Sequence, residues 1–191
     1  MEWRDITDLT ALKTCIGEVG EILGPIGILV NNAANDDREE IDDITETYWD
    51  RSQAINLRPH FFAAQAVRPQ MRQLGSGSII NFSSISYRYG ADKMLPYATA
   101  KAAIIGLTKA LARGFGADNI RVNAIEPGAV ITERQRQLWY PTAQAVQGMV
   151  DRQIIKKILS GEEVARLALF LAADDSRMIT KQSLVIDGGM S

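Results

Sequence analysis

Short apolar runs alternate with longer amphipathic stretches along this chain of 191 residues. Four runs, at residues 26–30, 78–82, 120–125 and 183–186, show no strict alternation of polar and apolar positions. This pattern is typical of strands that are buried on both faces of a parallel sheet. The runs therefore predict four buried, parallel strands.

Apolar residues recur at helical spacing between the runs, with Thr7 as the candidate N-cap of the first helix and breaks expected at Pro59 and Pro69. The predicted helices cover residues 8–23, 47–74, 97–115 and 162–173. The last of them is apolar nearly all round, so we expect it to pack against the sheet. The alternation of strands and helices predicts an α/β fold with crossover connections.

One segment departs from this alternation. Residues 132–160 are polar and contain Trp139, Tyr140 and Pro141, which is typical of a mobile insertion or a lid over a substrate site. Because no repeat or linker divides the chain, residues 1–191 are expected to form a single domain.

Composition and charge exclude several classes of function. The chain has 21 Lys and Arg against 23 Asp and Glu, without a block of like charge, which argues against nucleic-acid or anionic-membrane partners. The single cysteine, Cys15, excludes an internal disulfide and is expected to pack as a small hydrophobe. Neither a signal-peptide pattern nor a run of about 18 apolar residues occurs, so a cytoplasmic domain is expected.

Polar or turn-forming residues follow all four apolar runs, at residues 31–34, 83–84, 126–128 and 187–189. In open parallel sheets, ligands bind beyond the carboxyl ends of the strands. We therefore expect the functional site at this edge of the sheet.

A tyrosine followed four residues later by a lysine occurs twice, as Tyr89 with Lys93 and as Tyr97 with Lys101. On a helix such a pair shares one face, and a cation beside a phenol favours its ionisation, which suits proton transfer to or from an alcohol or carbonyl. The first pair is expected in a loop because a glycine interrupts it. The second opens an Ala-rich helix just after a proline, so it is the candidate acid/base.

Two polar residues accompany this pair. Ser84 follows a predicted strand and could hydrogen-bond a substrate oxygen, although capping of the strand end is the default explanation when it is taken alone. Asn56 lies within a predicted helix, which Pro59 should kink because it cannot donate to the carbonyl of Ile55. Carbonyls freed by the kink could hold a water for a proton relay, and an exposed kink is the alternative.

These residues, together with further segments, resemble the short-chain dehydrogenase/reductase family over essentially the whole chain. The other matching segments are residues 5–8, Asn31-Asn32-Ala33-Ala34, Ser83-Ser84, Tyr97-Ala98-Thr99-Ala100-Lys101, residues 127–132 and Asp187-Gly188-Gly189. The resemblance implies a three-layer, Rossmann-like, doubly wound parallel sheet. It also implies an NAD(P)-dependent oxidoreductase that moves hydride between the nicotinamide and an alcohol or carbonyl.

The resemblance implies a role for each candidate residue. Tyr97 would be the acid/base, Ser84 would orient the reacting oxygen, and Asn56 would anchor a relay water. Lys101 would hold the nicotinamide ribose and lower the pKa of the tyrosine. The implied cofactor contacts are Asp5, Ile6, Asn32, Tyr97, Lys101, Val130 and Thr132, and no metal is implied.

Residues 29–38, 134–135 and 139–140 are more specifically similar to bacterial aldose 1-dehydrogenases, which oxidise a cyclic sugar at C1 to its lactone. Asn35, Asp36 and Arg38 are then candidates for binding sugar hydroxyls, with solvated loop residues as the alternative. His60 is expected to be a packing or surface residue, since Tyr97 supplies the acid/base.

The sequence also departs from the family pattern. The glycine-rich pyrophosphate loop is not found, which predicts an N-terminally truncated dehydrogenase that lacks the first two strands and the residue that selects NAD over NADP. The cofactor is therefore expected to be NAD or NADP, and the strand at residues 26–30 is expected to be an open edge. Ala34 and Lys181 replace glycines that the family usually has, and the aldose dehydrogenases share the change at Ala34.

Three hypotheses about function remain open at this point. The protein could be an aldose-oxidising dehydrogenase, a truncated inactive relative that acts as a binding or oligomerising module, or a ketone or 3-ketoacyl reductase that uses NADPH. A small-molecule substrate and further copies of the chain are the expected partners. The resemblance implies tetramers formed through the helices that hold Asn56 and Tyr97.

Overall fold

A computed structural model describes residues 5–191 of the protein. Its strands form one parallel sheet in the order β1 (Ile28–Asn31), β2 (Gly77–Phe82), β3 (Ile120–Pro127) and β4 (Ser183–Ile186). Ile80 of β2 lies opposite Val30 of β1 and Asn123 of β3. The four predicted strands and their parallel arrangement are confirmed.

Helices form the connections between the strands. In chain order they are α1 (Leu9–Leu23), α2 (Glu46–Asn56), α3 (Arg58–Leu74), α4 (Leu95–Phe115), α5 (Glu133–Leu138), α6 (Ala143–Val150) and α7 (Gly161–Ala172). The helix α1 precedes β1, α2 and α3 connect β1 to β2, and α4 connects β2 to β3. The helices α5, α6 and α7 connect β3 to β4. The segment predicted as an insertion therefore holds two short helices, α5 and α6.

Side-chain capping sets where the first helix begins. Asp8 is the N-cap of α1, and its carboxylate accepts hydrogen bonds from the backbone N–H groups of Thr10 and Ala11, both at 2.9 Å. The prediction that Thr7 caps this helix is wrong, because Asp8 occupies the N-cap position and the Thr7 hydroxyl donates to Asp5. Both residue types satisfy free N–H groups at a helix start, so the sequence alone did not separate them.

The two prolines expected to break the second helix behave differently. Pro59 lies in the first turn of α3, where its missing N–H costs little, and the chain turns between Asn56 and Arg58. Pro69 lies inside α3, which continues to Leu74, so the break predicted there is wrong. The fully buried residues Val67 and Met71, on either side of Pro69, hold this helix on the sheet.

The fold has three layers. On one face of the sheet, Ile79 and Val122 pack with residues of α3 and α4, and Ile16 of α1 adds to this cluster. On the other face, Ile80 and Ile125 pack with residues of α7. Helices on both faces explain why the strands have no alternating polar positions.

The strand β1 forms one edge of the sheet, as expected, and β4 forms the other. Its apolar residues Ile28 and Val30 are 50% and 46% exposed, because no described strand pairs with this edge. Among residues 5–191, no helix has both the length and the apolar character that are needed to cross a membrane.

Candidate active site

A cavity of about 520 Å³ opens at the carboxyl ends of the strands, where the sequence predicted the functional site. Its lining includes Asn32, Asp36, Arg38, Ser84, Tyr97, Lys101, Val130, Thr132, Arg134 and Gln135. Most of the candidate residues from the sequence are thus brought together in one place.

The pair Tyr97 and Lys101 lies on one face of α4, with the Lys101 ammonium 5.3 Å from the centre of the tyrosine ring. Lys101 is 1% exposed, and its Nζ donates a hydrogen bond to the carbonyl of Phe82 at 2.8 Å. The other pair does not share a helix, since Tyr89 lies in a turn and Lys93 forms an exposed ion pair with Glu40. The geometry therefore favours Tyr97 with Lys101 for proton transfer.

Burial dominates the electrostatics of this pair. Removal from water raises the pKa of Tyr97 above its usual value, and the neighbouring Ser84 side chain opposes the rise. Burial also lowers the pKa of Lys101 to about 8, against the opposing charge of Asp36. Burial is the largest influence on the Tyr97 phenol, and the Lys101 ammonium donates to the Phe82 carbonyl. The lowering of the tyrosine pKa by Lys101 stays a prediction.

The two adjacent serines have separate roles. Ser83 is buried, and its hydroxyl donates to the carbonyl of Lys101 at 2.6 Å, so it is structural. Ser84 faces the cavity, and its oxygen accepts a hydrogen bond from the backbone N–H of Ser86 at 3.1 Å. Because that bond uses an oxygen lone pair, the hydroxyl proton of Ser84 is available to a substrate oxygen.

A buried carboxylate fixes the loop that carries Ser84, and the sequence reasoning missed it. Glu126 is fully buried and accepts hydrogen bonds from Arg88 at 2.6 and 2.9 Å and from the Tyr87 hydroxyl at 2.7 Å. Burial would raise the pKa of Glu126, but these bonds and one from Ser183 outweigh it and lower the pKa. An acidic residue directly after an apolar strand run was the signal for such a partner.

Asn56 is the last residue of α2 rather than a mid-helix residue, and it is 1% exposed. Its Oδ1 accepts from the backbone N–H of Asn35 at 2.8 Å, and its Nδ2 donates to the Asn35 carbonyl at 2.9 Å. Nδ2 also lies 3.2 Å from the Ser52 hydroxyl. The Asn56 amide therefore holds the loop that follows β1, a function that the relay prediction did not include.

The substrate candidate Asn35 lies outside the cavity that contains Tyr97. Its side chain lines a separate cavity of about 50 Å³ and donates to Asp37 at 2.8 Å. The pairing of its backbone with Asn56 turns it in this direction. The structure thus corrects the placement of Asn35, whereas Arg38 does line the Tyr97 cavity.

Helix α5 contacts the loop after β1 across the cavity. Arg134 forms an ion pair with Asp36, and Gln135 donates to the other Asp36 oxygen at 2.7 Å. The Arg38 guanidinium lies 3.8 Å from the centre of the Trp139 ring. The segments that resemble aldose dehydrogenases, about one hundred residues apart in sequence, thus form one surface.

The candidate cofactor residues divide into two groups. Asn32, Val130 and Thr132 line the cavity, and Thr132 also caps α5 by accepting from the backbone N–H of Gln135. Asp5 and Ile6 do not line it, and the Asp5 carboxylate accepts from the backbone and hydroxyl of Thr7, both at 2.8 Å.

His60 packs beneath the site. It is 2% exposed, and burial, with the nearby charge of Lys101, lowers its pKa to about 3. The imidazole is therefore neutral at ordinary pH, in agreement with its expected role in packing.

The residues present fit the nicotinamide half of a nicotinamide adenine dinucleotide. The Tyr97 phenol, the Lys101 ammonium and the Thr132 hydroxyl converge on one cavity and supply donors suited to the nicotinamide and its ribose. The sequence has no glycine-rich turn that would hold the pyrophosphate. Within the part of the chain that the structure describes, no group of three or more His, Cys, Asp or Glu side chains could hold a metal ion.

Comparison with known proteins identifies the family. A family model described as enoyl-(acyl carrier protein) reductase matches residues 3–191. A probable galactose dehydrogenase of Rhizobium meliloti is 47% identical over 186 residues, which cover 97% of this chain and 72% of that protein. A D-xylose 1-dehydrogenase of Caulobacter vibrioides is 43% identical over 185 residues, with the same coverage of 97% and 72%.

A solved structure agrees with this result. A protein described as a short-chain alcohol dehydrogenase from Sinorhizobium meliloti has a TM-score of 0.92 and 31% identity, covering 99% of this chain and 75% of its own. The chain belongs to the short-chain dehydrogenase/reductase family of oxidoreductases. It spans 72% of the length of the galactose and xylose dehydrogenases.

Proposed function

We propose that this protein oxidises an aldose at C1 to its lactone, with transfer of hydride to NAD or NADP. The observation that carries the proposal is the contact between the loop after β1 and α5, which places Asp36, Arg38, Arg134 and Gln135 around the cavity of Tyr97. The similarity to a galactose and a xylose dehydrogenase supports the same substrate class.

The described residues can perform the proton half of this reaction. Tyr97 takes the proton of the C1 hydroxyl, while the Ser84 hydroxyl donates a hydrogen bond to the same oxygen. Tyr97 acts in its phenolate form, which the charge of the Lys101 ammonium, 5.3 Å from the ring centre, favours against the effect of burial. The oxidised nicotinamide, when bound, supplies the acceptor for the hydride that leaves C1, so that the C1–O bond becomes the lactone carbonyl.

The experiment is to follow the formation of reduced nicotinamide with a panel of aldoses, using NAD and NADP in turn. We expect Tyr97→Phe to lower kcat by at least about 100-fold, because the proton acceptor is lost. Tyr89→Phe is the matched control, since Tyr89 lines the same cavity in the other tyrosine–lysine pair. Loss of activity in Tyr89→Phe with retention in Tyr97→Phe would show that the acid/base is wrongly assigned.

Two further measurements separate the competing functions. A ketone or 3-ketoacyl reductase would consume NADPH with ketone substrates and would not oxidise aldoses. A second version of the protein carries a strand, a glycine-rich pyrophosphate-binding turn and a helix of the family pattern, fused ahead of residue 5. If that folded fusion turns over neither aldoses nor ketones, a binding or oligomerising role is favoured over catalysis.

A further inference from the structure

The carboxylate of Asp36 is held from two sides by α5. Arg134 pairs with one oxygen through Nη1, and Gln135 donates to the other oxygen at 2.7 Å. The second guanidinium nitrogen of Arg134 donates to the Asn35 side chain at 3.0 Å, which fixes the direction of the arginine. The Asp36 side chain is only 14% exposed, and it lines the cavity of Tyr97.

The other polar side chains of this loop are committed elsewhere. Asn35 and Asp37 hydrogen-bond each other and line the small cavity beside Asn56. Arg38 stacks on the Trp139 ring. Asp36 is therefore the carboxylate that this loop presents to the reacting groups.

Asp36 retains capacity for a ligand. A carboxylate has about four acceptor positions, and the contacts with Arg134 and Gln135 use one on each oxygen. The remaining positions accept hydrogen bonds only, so they suit a hydroxyl and reject a carbonyl or ether oxygen. The negative charge also influences the pKa values of Tyr97 and Lys101, which agrees with a place near the reacting carbon.

We propose that Asp36 recognises the C2 hydroxyl of the aldose, with Arg134 and Gln135 as the residues that position its carboxylate. This inference rests on the proposed function. In a cyclic aldose the reacting C1 is bonded to the ring oxygen and to C2, and of these two neighbours C2 alone bears a hydroxyl that can donate. A carboxylate next to the reacting centre therefore distinguishes an aldose from its 2-deoxy analogue.

The test compares D-galactose with 2-deoxy-D-galactose in the wild-type protein and in Asp36→Asn. We expect the substitution to lower kcat/KM for D-galactose by about 10- to 100-fold, the worth of a hydrogen bond to a charged group. The value for the deoxy sugar should change by less than about threefold. Asp37→Asn is the matched control, because it removes the same charge and also an Arg134 contact while facing away from the cavity.

Arg134 provides a second variant with a different readout. Arg134→Ala should raise KM for D-galactose more than it lowers kcat, with partial rescue by Arg134→Lys, and should spare the deoxy sugar. Saturation-transfer NMR of the sugars on the cofactor-free chain checks binding independently of turnover. Equal losses on both sugars in Asp36→Asn, or unchanged selectivity, would overturn the role of Asp36 while leaving aldose oxidation intact. Failure of the wild-type protein to bind or oxidise any aldose would instead overturn the proposed function and this inference together.

Discussion

A single residue, Lys181, occupies a backbone conformation that costs free energy. Its φ is 65°, in the left-handed region where an L side chain crowds the following carbonyl. Asn119 is the other non-glycine residue with positive φ among residues 5–191, and asparagine tolerates this region well. The sequence comparison had already singled out Lys181 because the family usually has glycine there.

We expect Lys181→Gly to raise the free energy of unfolding by about 1 kcal/mol, because glycine removes the crowding at some cost in chain entropy. Urea unfolding at neutral pH measures the change. Lys109→Gly in the exposed part of α4 is the control and should lower stability by about 1 kcal/mol. If both glycine variants lose stability equally, the left-handed residue is not strained.

His60 makes stability depend on pH. Its folded pKa of about 3 lies below the unfolded value near 6.5, so the unfolded chain takes up a proton first as the pH falls. The stability that the neutral His60 contributes is fully present above a pH of about 6.5. It is lost by about 1.4 kcal/mol per pH unit as the pH falls from there towards the folded pKa of about 3.

Between pH 7 and pH 5, the wild-type protein should therefore lose about 2 kcal/mol more unfolding free energy than His60→Leu does. Urea unfolding of both proteins at the two pH values gives the difference. All other titratable groups are present in both proteins, so their contribution cancels in the comparison. Identical pH dependence in both proteins would contradict the depressed pKa.

At the scale of elements, the Glu126 carboxylate joins the end of β3 to the turn after β2. Its contacts with Tyr87 and Arg88 fix the segment that begins at Ser84. Because the glutamate is fully buried and the arginine side chain is 39% exposed, the pair lies between a buried and a surface ion pair.

We expect Glu126→Ala to lower the free energy of unfolding by about 2–3 kcal/mol, since it leaves Arg88 and Tyr87 without their acceptor. The double variant Glu126→Leu with Arg88→Met should recover part of this loss by apolar packing. Chemical unfolding of the three proteins measures the effect. A double variant that is no more stable than Glu126→Ala would show that apolar packing does not offset the loss of the buried hydrogen bonds.

The elements themselves were largely predictable from local pattern. Strands such as β2 and β3 are buried on both faces, so their apolar runs stand out from the helices around them. The helix break predicted at Pro69 did not occur. The free-energy cost of a proline inside a helix can be read from the sequence, but the tertiary packing of Val67 and Met71 that outweighs it cannot. The contact of Asp36 with Arg134 joins residues 98 positions apart, and no periodicity reports such a pairing.

At the scale of the whole molecule, an apolar groove of about 640 Å³ crosses α2, α3 and α4. Leu57, Phe61, Phe62 and Leu107 line it, and Phe61 is 38% exposed. The helices that hold Asn56 and Tyr97 both contribute, as the predicted oligomer requires. We therefore expect copies of the chain to associate through this groove.

Phe61→Asp should reduce the mass measured by light scattering to that of a smaller assembly, because it places a charge in an apolar contact. Ile22→Asp is the control, since Ile22 is 79% exposed on α1 and lies outside the groove. Equal masses for the wild-type protein and Phe61→Asp would exclude this surface as the interface.

The parallel sheet with β1 at an edge was predictable from family resemblance, and the position of the cavity followed from the carboxyl ends of the strands. The direction of the Asn35 side chain was not predictable from the sequence, because it depends on how the Asn56 side chain pairs with the Asn35 backbone. Burial likewise raises the pKa of Tyr97, and sequence spacing alone does not report how deeply the phenol is buried.

The two hydrogen bonds between the Asn56 amide and the backbone of Asn35 imitate the pairing of one peptide unit with another. They anchor Asn35, the residue directly before Asp36, so Asn56 helps to orient the Asp36 side chain without contacting it. A laboratory selection for variants with altered sugar preference should therefore recover substitutions at Asn56 as well as in the loop itself. Such variants would separate the choice of sugar from the transfer of its proton.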